Sequence, residues 1–333
     1  MKKQLMDLIE QNKDGPSPDI AQKALNLKIK NYGKSIYVRG LIEFTNYCKN
    51  DCFYCGIRRG NRNAVRYRLS EEQILRCCEE GYNYGFRTFV LQGGEDEYYN
   101  VKRLCDLINK IKTKYPECAV TLSVGEKSRE EYAALKSAGA DRYLLRHETA
   151  NEAHYNKLHP SELSLSNRKR CLYDLKELGF QTGAGFMVGS PYQTYETLAE
   201  DLMFLKELEP HMVGIGPFVA QKDSIFKDEP DGSLGLTLTM LALTRIILPD
   251  VLLPATTALG TIAPDGRERG FMVGANVVMP NLSPQENRAN YALYDNKIST
   301  GAEAASGLAE LRKRAESVGM EIDMQIGNWR RKE

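Results

Sequence analysis

Eight short apolar runs between residues 42 and 279 limit the fold of this 333-residue chain more than any other property of its sequence. They lie at 42–44, 88–92, 120–124, 143–147, 183–188, 213–218, 252–256 and 275–279, with amphipathic stretches between them. Short β-rich runs alternating with helical patterns specify parallel strands joined by crossover helices. Helix entrances are marked by Ser70 with Gln73 and by Ser128 with Glu131, pairs spaced to satisfy orphan amides reciprocally. Gly85, Gly139 and Gly179 stand where those helices should end. Eight such units predict an α/β fold of the (β/α)8 TIM-barrel type. A doubly wound open sheet is the competing architecture.

No linker or low-complexity segment divides residues 35–300, which therefore read as one barrel. Residues 1–34 read as a helical extension, and 301–333 as a helix and tail closing the barrel. With 42% hydrophobic residues the chain can bury a large core. Its 45 basic and 44 acidic residues generate no long-range field for nucleic acid or an acidic membrane, so a small-molecule partner is expected. Residues 1–30 are charged throughout, no run approaches a membrane span, and a cytoplasmic location is expected.

In a barrel of this type the functional groups gather at the carboxyl ends of the strands. The polar motifs here fall there: the cysteine loop after the first run, QGGED after the second, SVGEK after the third, RHETAN after the fourth and ATTALG after the seventh. Cys48, Cys52 and Cys55 form a C-x3-C-x2-C triplet in that first loop. A closed structural zinc site takes four protein ligands, and a cubane iron–sulfur cluster takes four cysteines, one per iron. Three cysteines leave one iron open to an exchangeable chelator. Zinc completed by a distant His147, His154, His159 or His211 is the alternative at this point. Cys77, Cys78, Cys105, Cys118 and Cys171 lie outside any tight spacing and read as small buried residues.

The triplet, with Tyr54 before its last cysteine and Gly93-Gly94-Glu95 after the second run, resembles the radical S-adenosylmethionine (SAM) superfamily. That resemblance implies a [4Fe-4S] cluster held by Cys48, Cys52 and Cys55, with SAM chelating the open iron. Reductive cleavage of SAM would yield a 5′-deoxyadenosyl radical, with a reducing donor protein supplying the electron. Within the superfamily, CGIRRGN, RYLLRHETAN, GAGFMVG, MVGIGPF, PATTALGT and GANVVMPNLSP resemble the [FeFe]-hydrogenase maturases.

By position, the resemblance implies a SAM site lined by Tyr54, Gln92, Gly93, Gly94, Glu95, Ser123, Arg146, Glu148, Arg168 and Met187. It implies a deeper substrate cavity with Arg142, Thr256, Thr257, Tyr291 and Tyr294. Gly93 stands where the family often has serine, which removes one hydroxyl contact. No cysteine follows Cys171, so an auxiliary C-terminal cluster is not expected. The implied reaction is radical attack on a small cysteine-bound iron carbonyl cyanide complex during assembly of the hydrogenase diiron subsite, alongside companion maturases. A mutase or sulfur-insertion enzyme of the methylornithine synthase or biotin synthase type is the alternative. A non-enzymatic iron–sulfur carrier is a third reading, in which SAM plays no part.

Overall fold

The computed structural model describes residues 1–298 and 304–330; the barrel boundary expected at residues 300 and 301 lies outside them. Two helices, α1 (Lys2–Gln11) and α2 (Pro18–Tyr32), precede the first strands, β1 (Ser35–Val38) and β2 (Gly40–Thr45), which Arg39 alone separates. Strands and helices then alternate through α3 (Glu71–Asn83), β3 (Thr88–Gly93), α4 (Val101–Lys114), β4 (Ala119–Ser123), α5 (Arg129–Ser137) and β5 (Arg142–Leu144). After α6 (Glu152–Leu158) and α7 (Leu165–Glu177) come β6 (Gln181–Val188), α8 (Tyr195–Leu208), β7 (Met212–Pro217) and α9 (Leu234–Ile247). The last elements are α10 (Thr257–Ile262), α11 (Gly266–Met272), β8 (Val277–Val278), α12 (Gln285–Arg288), α13 (Leu308–Ser317) and β9 (Glu321–Asp323).

Both expected capping boxes form, at Ser70 and Ser128. Gly85, Gly139 and Gly179 take positive φ behind α3, α5 and α7, where a side chain would be strained.

Strands β2 to β7 make a parallel sheet in chain order. The ring closes through weaker pairings: Met212 bridges Leu252, Pro254 bridges Val277, and Leu41 bridges Asn281, all parallel. Backbone bonds follow the same path, from Val213 N to Leu252 O (3.0 Å), Ala255 N to Val277 O (2.9 Å) and Leu41 N to Pro280 O (2.9 Å). The result is an eight-membered parallel barrel. Two of its expected strands are reduced. The run 252–256 forms only bridges, because Pro254 has no N–H to donate and Thr256 already turns into α10. The run 275–279 keeps a ladder only at Val277–Val278.

The period-2 alternation of the strands separates two apolar populations. Ile42, Phe44, Phe89, Leu91, Val120, Leu122, Val213 and Ile215 belong to the large core shared with the helices. Tyr37, Met212, Leu252 and Val277 form a separate cluster with Tyr32, Leu144, Met279 and Trp329. This second cluster fills the lower interior of the barrel.

The tail passes beneath it. Ile326 O accepts from Thr88 Oγ1 (3.0 Å) and Arg142 Nη2 (2.9 Å), Asn328 Oδ1 accepts from Arg142 Nη2 (2.7 Å), and Trp329 N donates to Gln181 Oε1 (3.0 Å). Strand β9 pairs with β1 at the same end. The amino end is thus packed and bonded shut. At the carboxyl half, Gln92, Ser123, Leu144, Arg146, Thr256 and Met279 retain accessible surface, so the interior is open there. Among the described residues no helix is long and apolar enough to cross a membrane.

Candidate active site

The cysteine loop follows β2 and is held by its own polar groups. Arg66 reaches back to four carbonyls, with Nη1 to Asn46 O (2.5 Å) and Ile57 O (2.8 Å), and Nη2 to Arg58 O (2.6 Å) and Asn61 O (3.2 Å). Asn61 Nδ2 donates to Gly56 O (2.7 Å), and Asp51 accepts from Arg58 (3.0 Å) and from the Gly60 amide (2.8 Å). The loop's path is therefore fixed by bonds that involve no thiol. Gly94 packs directly beneath it: a Cβ there would lie 2.1 Å from Tyr47 O and 2.7 Å from Cys48 Cβ.

Burial pushes the thiols upward. Cys55 rises to about 12, first through desolvation and then through Cys48; Cys52 rises well above the ordinary range through desolvation and then Cys55. Cys48 rises for the same first reason, while amides of Asn50 and Glu95 oppose the shift. Three partly buried thiols that disfavour one another's ionisation fit a cationic iron group, which stabilises thiolates outright.

Among the described residues no three His, Cys, Asp or Glu side chains close on a single ion. A cubane takes one thiolate per iron and does not require that convergence. The histidines are engaged elsewhere. His154 holds Thr149 and Pro191 O, His159 holds Tyr155 O and Tyr54 OH, His211 accepts from Thr182 N, and His147 accepts from Gly185 N. None is bonded to a cysteine, so the zinc alternative finds no fourth ligand among them.

Around the thiols stand the charged groups expected from strand ends. Arg146 Nη2 and Glu148 Oε2 pair at 3.0 Å. Arg168, on α7, pairs with Glu126 at 2.5 Å and donates to Arg146 O (2.6 Å). Tyr54 stands partly buried beside them, and Cys52, Cys55, Glu148 and Arg168 all act on its hydroxyl. Cys52 in turn feels Arg168 and Glu148. Cysteines, Tyr54, Glu148 and Arg168 therefore occupy one electrostatic neighbourhood carrying both signs of charge.

Met187 packs with Phe53 and Tyr54 at its edge. Gln92 Nε2 lies 3.5 Å from Tyr291 OH on the opposite wall. Glu95 turns its carboxylate to the Glu126 amide (3.0 Å) and Lys49 (3.4 Å), binding the loops after β3 and β4 together. Ser123 closes β4 and keeps partial exposure inside the barrel.

The substrate-side residues divide. Thr256 caps α10 without a side-chain bond, and its buried Oγ1 has no protein partner. Thr257 opens that helix and accepts from Arg267 (3.2 Å). Tyr291 is buried under a segment that crosses the barrel mouth, where Gly56 N donates to Leu293 O (2.9 Å) and Asp295 N to Ala220 O (3.1 Å). Tyr294, in that segment, is partly exposed. Arg142 is not brought into this group. It starts β5 at the packed end, and its guanidinium is taken by Thr88 (3.1 Å), Ile326 O and Asn328.

Between the two walls the GIGPF block supplies space. A Cβ on Gly214 would approach nothing closer than 3.9 Å, its neighbours being Arg146 Cδ, Leu144 Cδ1 and Ala184 O.

Several residues were not singled out by sequence. Glu43 is fully buried, paired with Lys297 and accepting from Asn281 Nδ2 (2.7 Å). Its only sequence signal is a carboxylate inside the apolar run LIEFT. Glu126 lies unnamed in the SVGEK motif, His159 reads only as a distant zinc ligand, and Tyr155 gives no signal. Tyr155 and His159 stack at 3.9 Å behind Tyr54.

Residues 42–205 match the Radical SAM superfamily. The [FeFe] hydrogenase maturase subunit HydE of Thermotoga maritima is 45% identical over 98% of this chain and 93% of its own length. The 3-methylornithine synthase of Methanosarcina acetivorans is 28% identical over 88% of this chain and 83% of its own. Among solved structures, methylornithine synthase (PylB) superposes with a TM-score of 0.85 at 24% identity, covering 97% of this chain and 94% of that one. The maturase HydG from Carboxydothermus hydrogenoformans gives 0.79 at 20% identity, covering 97% and 80%. The last two establish the barrel alone. Identity across nearly the whole of both sequences carries the assignment further: this chain is a radical SAM enzyme of the HydE family of [FeFe]-hydrogenase maturases.

Proposed function

We propose that Cys48, Cys52 and Cys55 each hold one iron of a [4Fe-4S] cluster, and that SAM binds between them and the Arg146–Glu148 pair. The observation that carries this is the meeting of three partly buried thiols with Tyr54, Glu148 and Arg168 at the open end of a barrel whose other end is sealed. When bound, the reduced cluster supplies one electron to SAM and so generates the 5′-deoxyadenosyl radical. The protein's own groups bind and aim.

Arg146 and Arg168 offer guanidinium forks for a carboxylate, and Glu148 accepts from an ammonium or ribose hydroxyl. Gly94 keeps the chain after β3 close to the cysteine loop, leaving its backbone carbonyls and amides to meet the methionine part of SAM. The segment around Tyr291, tied down by Lys297 and Glu43, restricts water at the mouth, which protects a reactive carbon radical. The open space beside Gly214 would receive a small cysteine-bound iron carbonyl cyanide complex, from which this enzyme would release an organometallic fragment for the diiron subsite. An electron-donor protein and companion maturases, in the cytoplasm, complete the system.

Supplying that complex to the reconstituted, reduced enzyme tests the proposal. It is supported by 5′-deoxyadenosine formation coupled to loss of the complex. Turnover of lysine or dethiobiotin, with the complex untouched, would transfer the chain to mutase or sulfur-insertion chemistry. Thr257→Val removes a hydroxyl on the substrate side, and should spare SAM cleavage while lowering consumption of the complex about tenfold or more. Loss of SAM binding in that variant, read by equilibrium dialysis, would show that cofactor and substrate pockets are wrongly divided.

A further inference from the structure

The wall that presents Arg146 and Glu148 is irregular. Leu144 pairs with Gly183, yet the next bridge joins Glu148 to Phe186, so β5 carries one residue more than β6 between the two pairings. This is a β-bulge, a device that re-aims side chains beside active sites. It ends on Glu148 with φ of 65°, a left-handed conformation that strains a non-glycine residue and persists only where its surroundings enforce it.

Two bonds to β6 flank the corner, Glu148 N to Gly185 O (3.0 Å) and Met187 N to Glu148 O (3.4 Å). A third contact comes from a side chain. The Gly185 amide donates to Nδ1 of His147 at 3.3 Å.

That bond fixes the imidazole tautomer. With Nδ1 accepting, the neutral ring carries its proton on Nε2, which lies 3.3 Å from Asp201 Oδ1. Asp201 projects from α8, and its Oδ1 also accepts from the Ala150 amide at 2.5 Å, just past the corner. Both side chains are completely buried, with the ring held between Phe186 (centroids 5.8 Å apart) and Phe204 (5.0 Å). Burial keeps the imidazole neutral, reinforced by the neighbouring Arg146, Lys169 and Arg168, and pushes the carboxyl upward, opposed by the Ala150 amide and Lys169 and reinforced by Glu200 and Glu148.

Neither group reaches the barrel interior. Their carboxyl and ring contacts span the bulge from Gly185 through residue 147 to Ala150.

We infer that His147 and Asp201 are positioning residues, a buried pair behind the barrel wall that locks the bulge after β5 and thereby holds Arg146 and Glu148 toward SAM. The inference rests on the SAM site assigned above. A polar pair enclosed by apolar neighbours is costly unless its bonds are made; here His147 Nδ1 and Asp201 Oδ1 each hold one backbone amide beside the corner, Gly185 and Ala150, while His147 Nε2 faces Asp201 at 3.3 Å without hydrogen-bond geometry.

The test is SAM affinity, measured by equilibrium dialysis on anaerobically reconstituted protein, alongside iron content and thermal melting. His147→Phe keeps a ring between Phe186 and Phe204 but removes the acceptor for the Gly185 amide and the contact with Asp201. Asp201→Leu keeps volume and removes the acceptor, whereas Asp201→Asn keeps a carbonyl oxygen for Ala150 and His147.

The expected result is at least about a tenfold rise in the SAM dissociation constant for His147→Phe and Asp201→Leu, with iron content unchanged and Asp201→Asn within about threefold of the unmodified protein. Unchanged SAM affinity in folded His147→Phe or Asp201→Leu overturns the inference. So does an Asp201→Asn variant that folds and yet loses affinity as fully as Asp201→Leu. Should the leucine and phenylalanine variants not fold, the asparagine variant still decides, since the inference requires it to bind SAM. Failure of the unmodified protein to bind SAM would instead remove the site assignment itself.

Discussion

Replacing Cys52 with alanine should eliminate the iron–sulfur chromophore and all SAM cleavage, whereas Cys171→Ala should retain both. The two thiols differ in setting. Cys52 shares its loop with Cys48 and Cys55, and the three act on one another electrostatically. Cys171 lies on α7 in the helix-side core, its sulfur 3.7 Å from Lys127 O. Removing it deletes packing and a weak hydrogen bond, a loss of about 1–2 kcal/mol that leaves a folded protein. On the proposed assignment, removing Cys52 would leave two protein ligands for a cluster already one short of the usual four. Iron and sulfide content with the visible absorption band check both variants. Equal loss in the two would mean the ligand set is wrongly assigned.

Gly94→Ala should have nearly as large an effect without touching a ligand. The new methyl would meet the Tyr47 carbonyl oxygen at 2.1 Å and Cys48 Cβ at 2.7 Å, and the first of these is backbone, which has no alternative rotamer. The loop must move. Overpacking of this kind costs about 1–3 kcal/mol, and a displacement of about 1 Å at a reacting centre costs about a hundredfold in rate. Iron content should fall below that of the unmodified protein after identical reconstitution, and SAM cleavage by about two orders of magnitude. Full iron loading with normal cleavage would show that the loop tolerates displacement. Gly85→Ala is the matched control: its Cβ would have only Met324 Cε within 4 Å, so its strain is confined to its own positive φ at a helix end.

Much of this architecture was legible because local rules and the global fold agree. The capping boxes at Ser70 and Ser128 and the glycines behind α3, α5 and α7 are short-range chemistry, and they place helices between strands wherever the apolar runs occur. The barrel's closure was harder to read, because its seventh and eighth walls are held by single bridges around Pro254 and by a two-residue ladder. Strands β1 and β9 were missed. Each is short, and β9 pairs with a partner far away in sequence.

Within the site, Cys48, Cys52 and Cys55 announced themselves by spacing, and Arg146 and Glu148 by their position at a strand end. The pairing of Glu126 with Arg168 and the stacking of His159 on Tyr155 did not, since both depend on how helices pack. The left-handed corner at Glu148 is also invisible in sequence, because no glycine marks it. Arg142 shows the reverse error. A buried arginine in the motif block RYLLRHETAN has its donors directed to the C-terminal tail, on the side of the barrel away from the thiols.

The central claim is that a cluster with one open iron works on SAM in this barrel, and one experiment addresses it directly. The protein is reconstituted anaerobically with iron and sulfide, reduced and mixed with SAM, and the EPR signal of the reduced cluster and the formation of 5′-deoxyadenosine are followed together. The account requires SAM to change the signal and 5′-deoxyadenosine to accumulate. A reduced cluster confirmed by EPR whose signal is indifferent to SAM, with no 5′-deoxyadenosine formed, would contradict it and leave an iron–sulfur carrier in its place.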